Sequence, residues 1–354
     1  MRTAKHIELL EAYVPGEQPK SRDVVKLNTN ENPYPPTPKC AEVLASFNLD
    51  QLRRYPDPEF VTLRKTIAKR FGTGPERVFV GNGSDEILSL AARAFVENDE
   101  CIASLDPSYS LYKTLAAIRD VKWVGLPLAS LLLAYSSRRS TLSARLPQKA
   151  SLFLWTNPNA PTGAWTEPAT ISSFAHKFPG VVLVDEAYAD FAKGNCMGLA
   201  IAPRNKNVIV MRTFSKSYSL AGLRVGFCIG PSDLIEALYK VKDSYNVDAV
   251  AQAVALAAFN DRIYHAKTVA AVKKTRAALI HELRRRGWDV PDSEANFVFA
   301  KPPLTTTAEE VFEGLRRRMV FVRYFPGPQT GDRLRITVGT PAEVKRLLNT
   351  LDTM

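Results

Sequence analysis

Residues 213–226 read Thr-Phe-Ser-Lys-Ser-Tyr-Ser-Leu-Ala-Gly-Leu-Arg-Val-Gly, and this stretch is the most informative part of the chain. It follows the apolar run 208–211, which predicts a buried strand, and it places Lys216 among hydroxyl side chains just past that strand. Arg224 follows beyond a glycine turn. A second apolar run, 181–184, ends in Asp185. Two buried strands are therefore expected to bring an amine and an acid to one end of one sheet.

The bulk composition is that of a globular protein. The chain has 354 residues, of which 45% are hydrophobic and 23% charged, enough for a large core and more than one domain. No apolar stretch approaches the ~20 residues of a membrane span, and no apolar signal core follows the first residues. We expect a cytoplasmic protein without a membrane partner. Neither a disulfide framework nor a metal site is indicated, because the four cysteines are far apart: Cys40, Cys101, Cys196 and Cys228.

The net charge of +11 permits two interpretations. The positive charge could bind an anionic substrate or nucleic acid, or it could be spread over a basic surface without a binding role. The arginine runs 284–286 and 316–318 come late in helical patterns, where cations favour the helix dipole. No nucleic-acid-binding motif accompanies them. We therefore favour a basic surface and expect no nucleic-acid partner.

The order of patterns along the chain indicates an α/β fold. The first forty residues are rich in Pro and Asn and predict an extended arm. Strand patterns (78–80, 101–105, 121–126, 151–155, 181–184 and 208–211) then alternate with helix patterns (59–71, 85–96 and 109–118, with Ser84 as N-cap of the second), as in a mainly parallel sheet. Residues 251–286 are almost wholly helical, with a break near Asn260. A small α+β pattern follows, with strands at 296–300, 320–324 and 334–338 and helices at 308–319 and 341–351. The predicted division is an arm (1–40) that joins the small domain, a large domain (41–255) and a small domain (256–354); 129–150 receives no assignment.

Lys216 and Asp185 have environments that suit chemistry. An amine attacks an aldehyde only when neutral, and its pKa, ordinarily ~10.4, falls on burial and near other cations. A lone lysine in a loop is more often solvated. An acid at the end of an apolar strand needs a partner, and a protonated pyridine nitrogen is one. A helix cap or a salt bridge would also satisfy Asp185.

Two turns add weaker signals. Residues 81–86, Gly-Asn-Gly-Ser-Asp-Glu, join a strand to a helix start, where glycines and free N–H groups suit a phosphate. Acids at a helix start are also favoured by the dipole alone. Residues 157–163, Asn-Pro-Asn-Ala-Pro-Thr-Gly, follow another strand, and the Asn157 amide can donate to a phenolate oxygen. The alternative is a proline-rich turn.

Together these motifs resemble the aspartate aminotransferase superfamily, the fold-type I enzymes that use pyridoxal 5′-phosphate (PLP). They are most similar to its histidinol-phosphate aminotransferases. The segments 27–33, 54–58, 106–109, 184–188, 245–247 and 334–336 match in the family's order, as do the stretches quoted above. The resemblance implies a PLP-dependent transferase with a large, mainly parallel sheet domain and a small α+β domain.

The resemblance also implies roles for individual residues. Lys216 would form the Schiff base and move a proton, Asp185 would pair with the pyridine nitrogen, and Tyr109 would stack on the ring. The backbone N–H groups of Ser84 and Asp85, with the side chains of Ser215 and Arg224, would bind the phosphate, and Asn157 and Tyr188 would hold the 3′-oxygen. Tyr55 would reach the neighbouring subunit's phosphate, which implies a homodimer. The candidates for the substrate pocket are Arg335, Arg323, Tyr13, Asn30 and Tyr245.

The implied reaction transfers an amino group between glutamate and imidazole-acetol phosphate, giving histidinol phosphate and 2-oxoglutarate. Aromatic amino-acid aminotransferases and threonine-phosphate decarboxylases share nearly every motif and remain alternatives, as does a non-catalytic relative of the fold. The chain departs from the family at Ala160, where a second Asn is usual, in the non-acidic 129–150 stretch, and in its short arm. These departures bear on the substrate more than on the reaction.

Overall fold

The computed structural model describes residues 3–10, 16–21, 23–128, 130–131 and 148–354. Tyr13, a predicted substrate residue, and most of the unassigned 129–150 segment lie outside the described residues. The first described elements are helix α1 (Lys5–Glu8), strand β1 (Val25–Lys26) and helices α2 (Pro38–Ser46) and α3 (Val61–Phe71). The arm from β1 to α2 is largely without regular structure, as its Pro and Asn content predicts.

A seven-stranded sheet forms the centre of the described large domain. Its strands are β2 (Val78–Gly81), β3 (Cys101–Asp106), β4 (Lys122–Pro127), β5 (Ala150–Thr156), β6 (Val181–Asp185), β7 (Val208–Thr213) and β8 (Gly226–Ile229). Their spatial order is β2-β8-β7-β6-β5-β3-β4. Only β8 runs antiparallel to its neighbours, β2 and β7. The sheet is therefore mainly parallel, as predicted.

Helices cover both faces of this sheet, which is why its inner strands are apolar on both sides. They are α4 (Gly83–Phe95), α5 (Leu111–Ile118), α6 (Pro168–Ala175), α7 (Met197–Ile201), α8 (Ser232–Val241) and α9 (Ala249–Asn260). One core packs around Phe153, Trp155 and Phe174, and the other around Phe79, Ile87 and Tyr112. All five residues of β6 are buried, including Asp185.

The small domain begins with helix α10 (Arg262–Arg285). It contains strands β9 (Phe297–Ala300), β10 (Val320–Phe321), β11 (Arg323–Tyr324) and β12 (Leu334–Thr337), with helices α11 (Ala308–Arg317) and α12 (Pro341–Asp352). Strands β11, β12 and β9 form an antiparallel sheet, while β10 pairs with β1 of the arm. This pairing joins the arm to the small domain. Val25 and Leu27 accordingly pack in the small-domain core.

The structure differs from the sequence predictions in several places. Strand β8 and helices α6, α7 and α8 were not predicted. Ser84 is not an N-cap, because α4 begins one residue earlier, at Gly83. The single strand predicted at 320–324 is split, since β10 pairs with the arm and β11 with β12. The boundary predicted after residue 255 falls inside α9, so we propose Asp261, between α9 and α10, as the division.

Among the described residues, no helix is long and apolar enough to cross a membrane.

Candidate active site

A cavity of about 530 Å³ opens at the carboxyl ends of the parallel strands β3, β5, β6 and β7. In open α/β sheets, ligands bind in the crevice at this edge. Its wall is completed by the arm and by strands β11 and β12 of the small domain. The predicted site residues that line it are Asn30, Ser84, Asp85, Tyr109, Asp185, Tyr188, Ser215, Lys216, Arg224, Arg323 and Arg335.

Lys216 follows strand β7 by three residues and projects into this cavity. Its Nζ donates to the Thr29 carbonyl of the arm at 3.2 Å. Burial disfavours the charged ammonium and, together with the positive charge of Arg335, lowers the pKa of Lys216 to about 8. The side chain therefore provides a neutral amine far more readily than a lysine in water.

Asp185 ends strand β6, beside β7, and is held by two donors. Its Oδ1 accepts from the Ala187 backbone N–H at 3.0 Å, and its Oδ2 accepts from the Tyr112 hydroxyl at 2.9 Å. Burial raises the pKa of Asp185 to about 6, and these hydrogen bonds oppose that rise. Asp185 is thus a buried carboxylate of fixed orientation that faces the cavity and favours a cationic partner.

The first turn of helix α4 and Arg224 form an anion-binding pocket. Backbone N–H groups in the first turn of a helix have no intrahelical acceptor, and they attract anions. Gly83 has φ +78°, and a Cβ there would lie 2.5 Å from Arg224 Nη2. The Arg224 Nη1 donates to Ser215 Oγ at 3.4 Å, and its Nη2 to Asp85 Oδ2 at 3.0 Å. Glycine at this turn lets the guanidinium approach the backbone.

Two arginines line the small-domain side of the cavity. Arg323 and Arg335 are cross-strand partners in β11 and β12. The Arg335 Nη2 donates to the Asn28 carbonyl at 2.9 Å, and its guanidinium carbon lies 5.1 Å from the centre of the Phe325 ring. The cavity therefore has a second cationic wall, in addition to Arg224.

The contact of Asn157 with the cofactor's 3′-oxygen stays a prediction, and the structure shows what surrounds this side chain. Asn157 is fully buried and is not part of the cavity wall, whereas Ala160 and Pro161 are. Its amide donates to the Thr166 carbonyl at 2.9 Å and to Cys196 Sγ at 3.3 Å, and it accepts from the Thr166 N–H at 2.8 Å. These hydrogen bonds of Asn157 therefore stabilise the turn after β5.

Two further substrate candidates have unexpected surroundings. Asn30 is almost fully buried, and its Nδ2 donates to the Tyr188 hydroxyl at 3.0 Å, so it orients Tyr188. Tyr245 does not line the cavity of its own chain. It stacks on Tyr55 with ring centres 4.3 Å apart, and Tyr55 is 80% exposed. Both tyrosines therefore lie at the surface, outside the cavity that a single chain forms, and their roles stay predictions.

Sequence reasoning missed the ion network that fastens the Lys216 loop. Arg212 bonds Glu186 at 2.9 Å and Asp190 at 3.1 Å, and Ser217 donates to Asp190. Burial alone would raise the pKa of Asp190, but Arg212 and His265 hold it below its ordinary value. Sequence reasoning also missed Tyr112. This residue lies three positions after Tyr109 at a predicted helix start, a spacing that places both side chains on one helix face, and that spacing was a usable signal.

This arrangement fits PLP on three structural counts. A glycine-lined helix start with Arg224 suits the phosphate, the buried Asp185 suits a pyridinium, and the amine of Lys216 suits the aldehyde. Fold and site together define the class of fold-type I PLP-dependent enzymes. The family model of aminotransferase class I and II matches residues 22–351. The chain belongs to this family of PLP-dependent aminotransferases.

Curated relatives agree with this membership over nearly the whole chain. The histidinol-phosphate aminotransferase 2 of Rhizobium meliloti is 43% identical and covers 98% of this chain and 97% of its own length. The histidinol-phosphate aminotransferase of Microcystis aeruginosa is 41% identical and covers 96% and 94%, respectively.

Solved structures share the fold. The histidinol-phosphate aminotransferase from Sinorhizobium meliloti, in complex with pyridoxal-5′-phosphate, has a TM-score of 0.86 at 24% identity and covers 99% of this chain and 97% of its own. The aspartate aminotransferase from Thermotoga maritima has a TM-score of 0.78 at 20% identity, covering 94% and 92%.

Proposed function

We propose that this protein transfers an amino group between glutamate and imidazole-acetol phosphate, giving histidinol phosphate and 2-oxoglutarate in histidine biosynthesis. The observation that carries the proposal is the presence of two separate cationic walls in one cavity, Arg224 at the start of α4 and Arg323 with Arg335 opposite. The first suits the cofactor phosphate and leaves the second for a substrate anion. Several relatives about 40% identical carry the same activity in their names.

In this proposal, each part of the cofactor has its own residue. When bound, PLP supplies an electron-withdrawing ring that stabilises negative charge on the substrate carbon losing a proton. Asp185 would keep the ring nitrogen protonated, Tyr109 would stack on the ring, and Tyr188 would donate to its 3′-oxygen. The backbone N–H groups of Ser84 and Asp85 and the Ser215 hydroxyl would join Arg224 at the phosphate. Because the Asn157 amide already donates to Thr166 and Cys196, Tyr188 is the residue we assign first to the 3′-oxygen.

Lys216 would act in two ways. Its Nζ would hold the cofactor covalently in the resting protein. Once released by an amino substrate, the neutral Nζ would take the proton from the substrate Cα and pass it to C4′, the cofactor carbon that carried the aldehyde. The lowered pKa of about 8 supports this role, since the amine must be unprotonated to accept that proton.

Arg335 and Arg323 would bind the carboxylate of glutamate and the phosphate of imidazole-acetol phosphate in turn. A guanidinium suits either anion, because its planar fork matches both. Asn30 would contribute indirectly, by orienting Tyr188 at the border between the cofactor and substrate sides.

We also propose that the protein is a homodimer. An apolar surface formed by Leu44, Leu49, Leu52 and Tyr55 is exposed in the single chain. Tyr55 and Tyr245 would lie across the interface and complete the neighbouring subunit's site. A cytoplasmic location is part of the proposal, supported by four cysteines that are all buried and unpaired.

Turnover of imidazole-acetol phosphate against phenylpyruvate, each with glutamate, tests the substrate assignment. We expect a clear preference for imidazole-acetol phosphate, and a preference for phenylpyruvate would identify an aromatic aminotransferase instead. Release of carbon dioxide from threonine phosphate would identify a decarboxylase. Arg335→Met should raise KM for glutamate at least about tenfold, the loss of a charged hydrogen bond. Arg333→Met is the matched control, because Arg333 is outside the cavity wall and pairs with Asp289.

A further inference from the structure

Three hydroxyl groups form a chain that ends at Asp185. Ser108 Oγ lies 3.0 Å from Thr156 Oγ1, Thr156 Oγ1 lies 2.7 Å from the Tyr112 hydroxyl, and that hydroxyl lies 2.9 Å from Asp185 Oδ2. Tyr112 is fully buried and Thr156 nearly so. Ser108 and Thr156 both line the cavity. The chain thus connects the cavity surface with the carboxylate.

The chemistry of the groups fixes the direction of these hydrogen bonds. An ionised carboxylate can only accept hydrogen bonds, so Tyr112 must donate its one hydroxyl proton to Asp185. Thr156 must then donate to the Tyr112 oxygen, and Ser108 must donate to Thr156. Each hydroxyl polarises the next, which strengthens the last bond of the chain. If Asp185 were protonated at Oδ2, this direction could reverse.

We propose that Tyr112, oriented by Thr156 and Ser108, is a positioning residue that keeps Asp185 ionised and aimed at the cavity. The consequence is that the proton shared between Asp185 and the cofactor stays on the ring nitrogen. This inference rests on the proposed pairing of Asp185 with that nitrogen. It adds residues that act through Asp185 and do not themselves touch the reacting atoms.

The surroundings of Asp185 show why such support is needed. Burial favours its protonated form, and the charge of Asp85 acts in the same direction. The hydrogen bonds from Tyr112 and Ala187 and the charge of Lys216 act against protonation. Of the side chains within this set, Tyr112 alone donates directly to a carboxylate oxygen of Asp185. The backbone bond from Ala187 cannot be removed by a side-chain change, so Tyr112 is the testable element.

The experiment uses ¹⁵N-labelled PLP bound to the full-length protein, with the ¹⁵N shift reporting whether the ring nitrogen is protonated. Tyr112→Phe should lower the ratio of ring-protonated to carboxyl-protonated forms about tenfold or more, the effect of losing one hydrogen bond to a charged group. Thr156→Val should shift the signal in the same direction but less. Thr156→Ser keeps the hydroxyl and should restore the wild-type signal.

Two controls make each outcome decisive. Tyr239→Phe, on helix α8 away from the cavity, should leave the ¹⁵N signal unchanged. Asp185→Asn should abolish ring protonation, and if it does not, the pairing of Asp185 itself is wrong. If Asp185→Asn shifts the signal but Tyr112→Phe does not, the pairing stands and the hydroxyl chain is refuted. Should Tyr112→Phe fail to fold, an unshifted signal in Thr156→Val also refutes it.

Discussion

Lys216 is half-buried and Asp185 is buried, and burial affects their pKa values in opposite directions. For the lysine it disfavours the cation and lowers the pKa to about 8, and for the aspartate it disfavours the anion and raises the pKa to about 6. The pKa of each group is therefore shifted towards neutral pH. At that pH the amine must lose its proton and the carboxylate must stay charged. Such opposed shifts in one cavity are typical of acid–base sites.

The lowered pKa of Lys216 predicts how cofactor attachment depends on pH. Only the neutral amine attacks an aldehyde, and in the folded protein it predominates above pH ~8 rather than above the ordinary ~10.4. The initial rate of covalent PLP attachment to cofactor-free protein, followed by absorbance, should therefore rise with pH and level off above about 8. A rate that keeps rising beyond pH ~10 would show an unperturbed lysine.

Asn157 gives a second prediction at this scale. Asn157→Ala removes three hydrogen bonds and strands the buried Thr166 backbone groups, so the free energy of unfolding should fall by about 2–4 kcal/mol. The absorbance of bound PLP should stay that of the wild type, because the side chain is not part of the cavity wall. Denaturant unfolding and a spectrum check both. A spectral shift with unchanged stability would instead support a contact between Asn157 and the cofactor's 3′-oxygen.

At the scale of elements, strand β8 brings a glycine against the start of helix α4. A Cβ at Gly226 would lie 2.7 Å from the Ser84 nitrogen and 2.8 Å from the Gly83 carbonyl carbon. Both are backbone atoms, which cannot rotate away from the added carbon as the end of a side chain can. The start of α4 is thus packed directly on the strand that follows Arg224, so that the phosphate pocket depends on the absence of a side chain at this position.

Gly226→Ala should therefore weaken both the fold and the pocket. Overpacking of this kind costs about 1–3 kcal/mol in the free energy of unfolding, and the displaced helix start should also raise the dissociation constant of PLP. Gly222→Ala is the matched control in the same segment, because a Cβ there meets nothing within 4 Å. Equal effects of the two changes would refute the packing argument.

At the scale of the whole molecule, the exposed apolar surface around Leu52 predicts a dimer. Leu52→Glu places a charge on that surface and should yield monomers by light scattering, with weaker PLP binding because Tyr55 no longer reaches the neighbouring site. Leu304→Glu is the control, since Leu304 is 95% exposed in the small domain. A dimer that survives Leu52→Glu, or one that Leu304→Glu also breaks, would place the interface elsewhere.

Much of the architecture was predictable because it rests on local patterns. Short apolar runs predicted most strands of the sheet. The positions of Lys216 and Asp185 after two such runs predicted the centre of the site. The direction of the Asn157 side chain and the bond from Tyr112 to Asp185 depend on contacts across the fold, the latter over 73 residues. Such contacts leave no periodicity in the sequence, which is why no sequence pattern indicated either of them.

Lys216 is the residue that we expect to hold PLP covalently. Borohydride reduction of the PLP-loaded protein, followed by digestion and mass spectrometry, tests this expectation most directly because it marks the attached lysine permanently. Lys113 also lines the cavity and is the natural competitor. We expect the added mass on the peptide containing Lys216 and nowhere else. A label on Lys113, or on any other lysine in its place, would contradict the account.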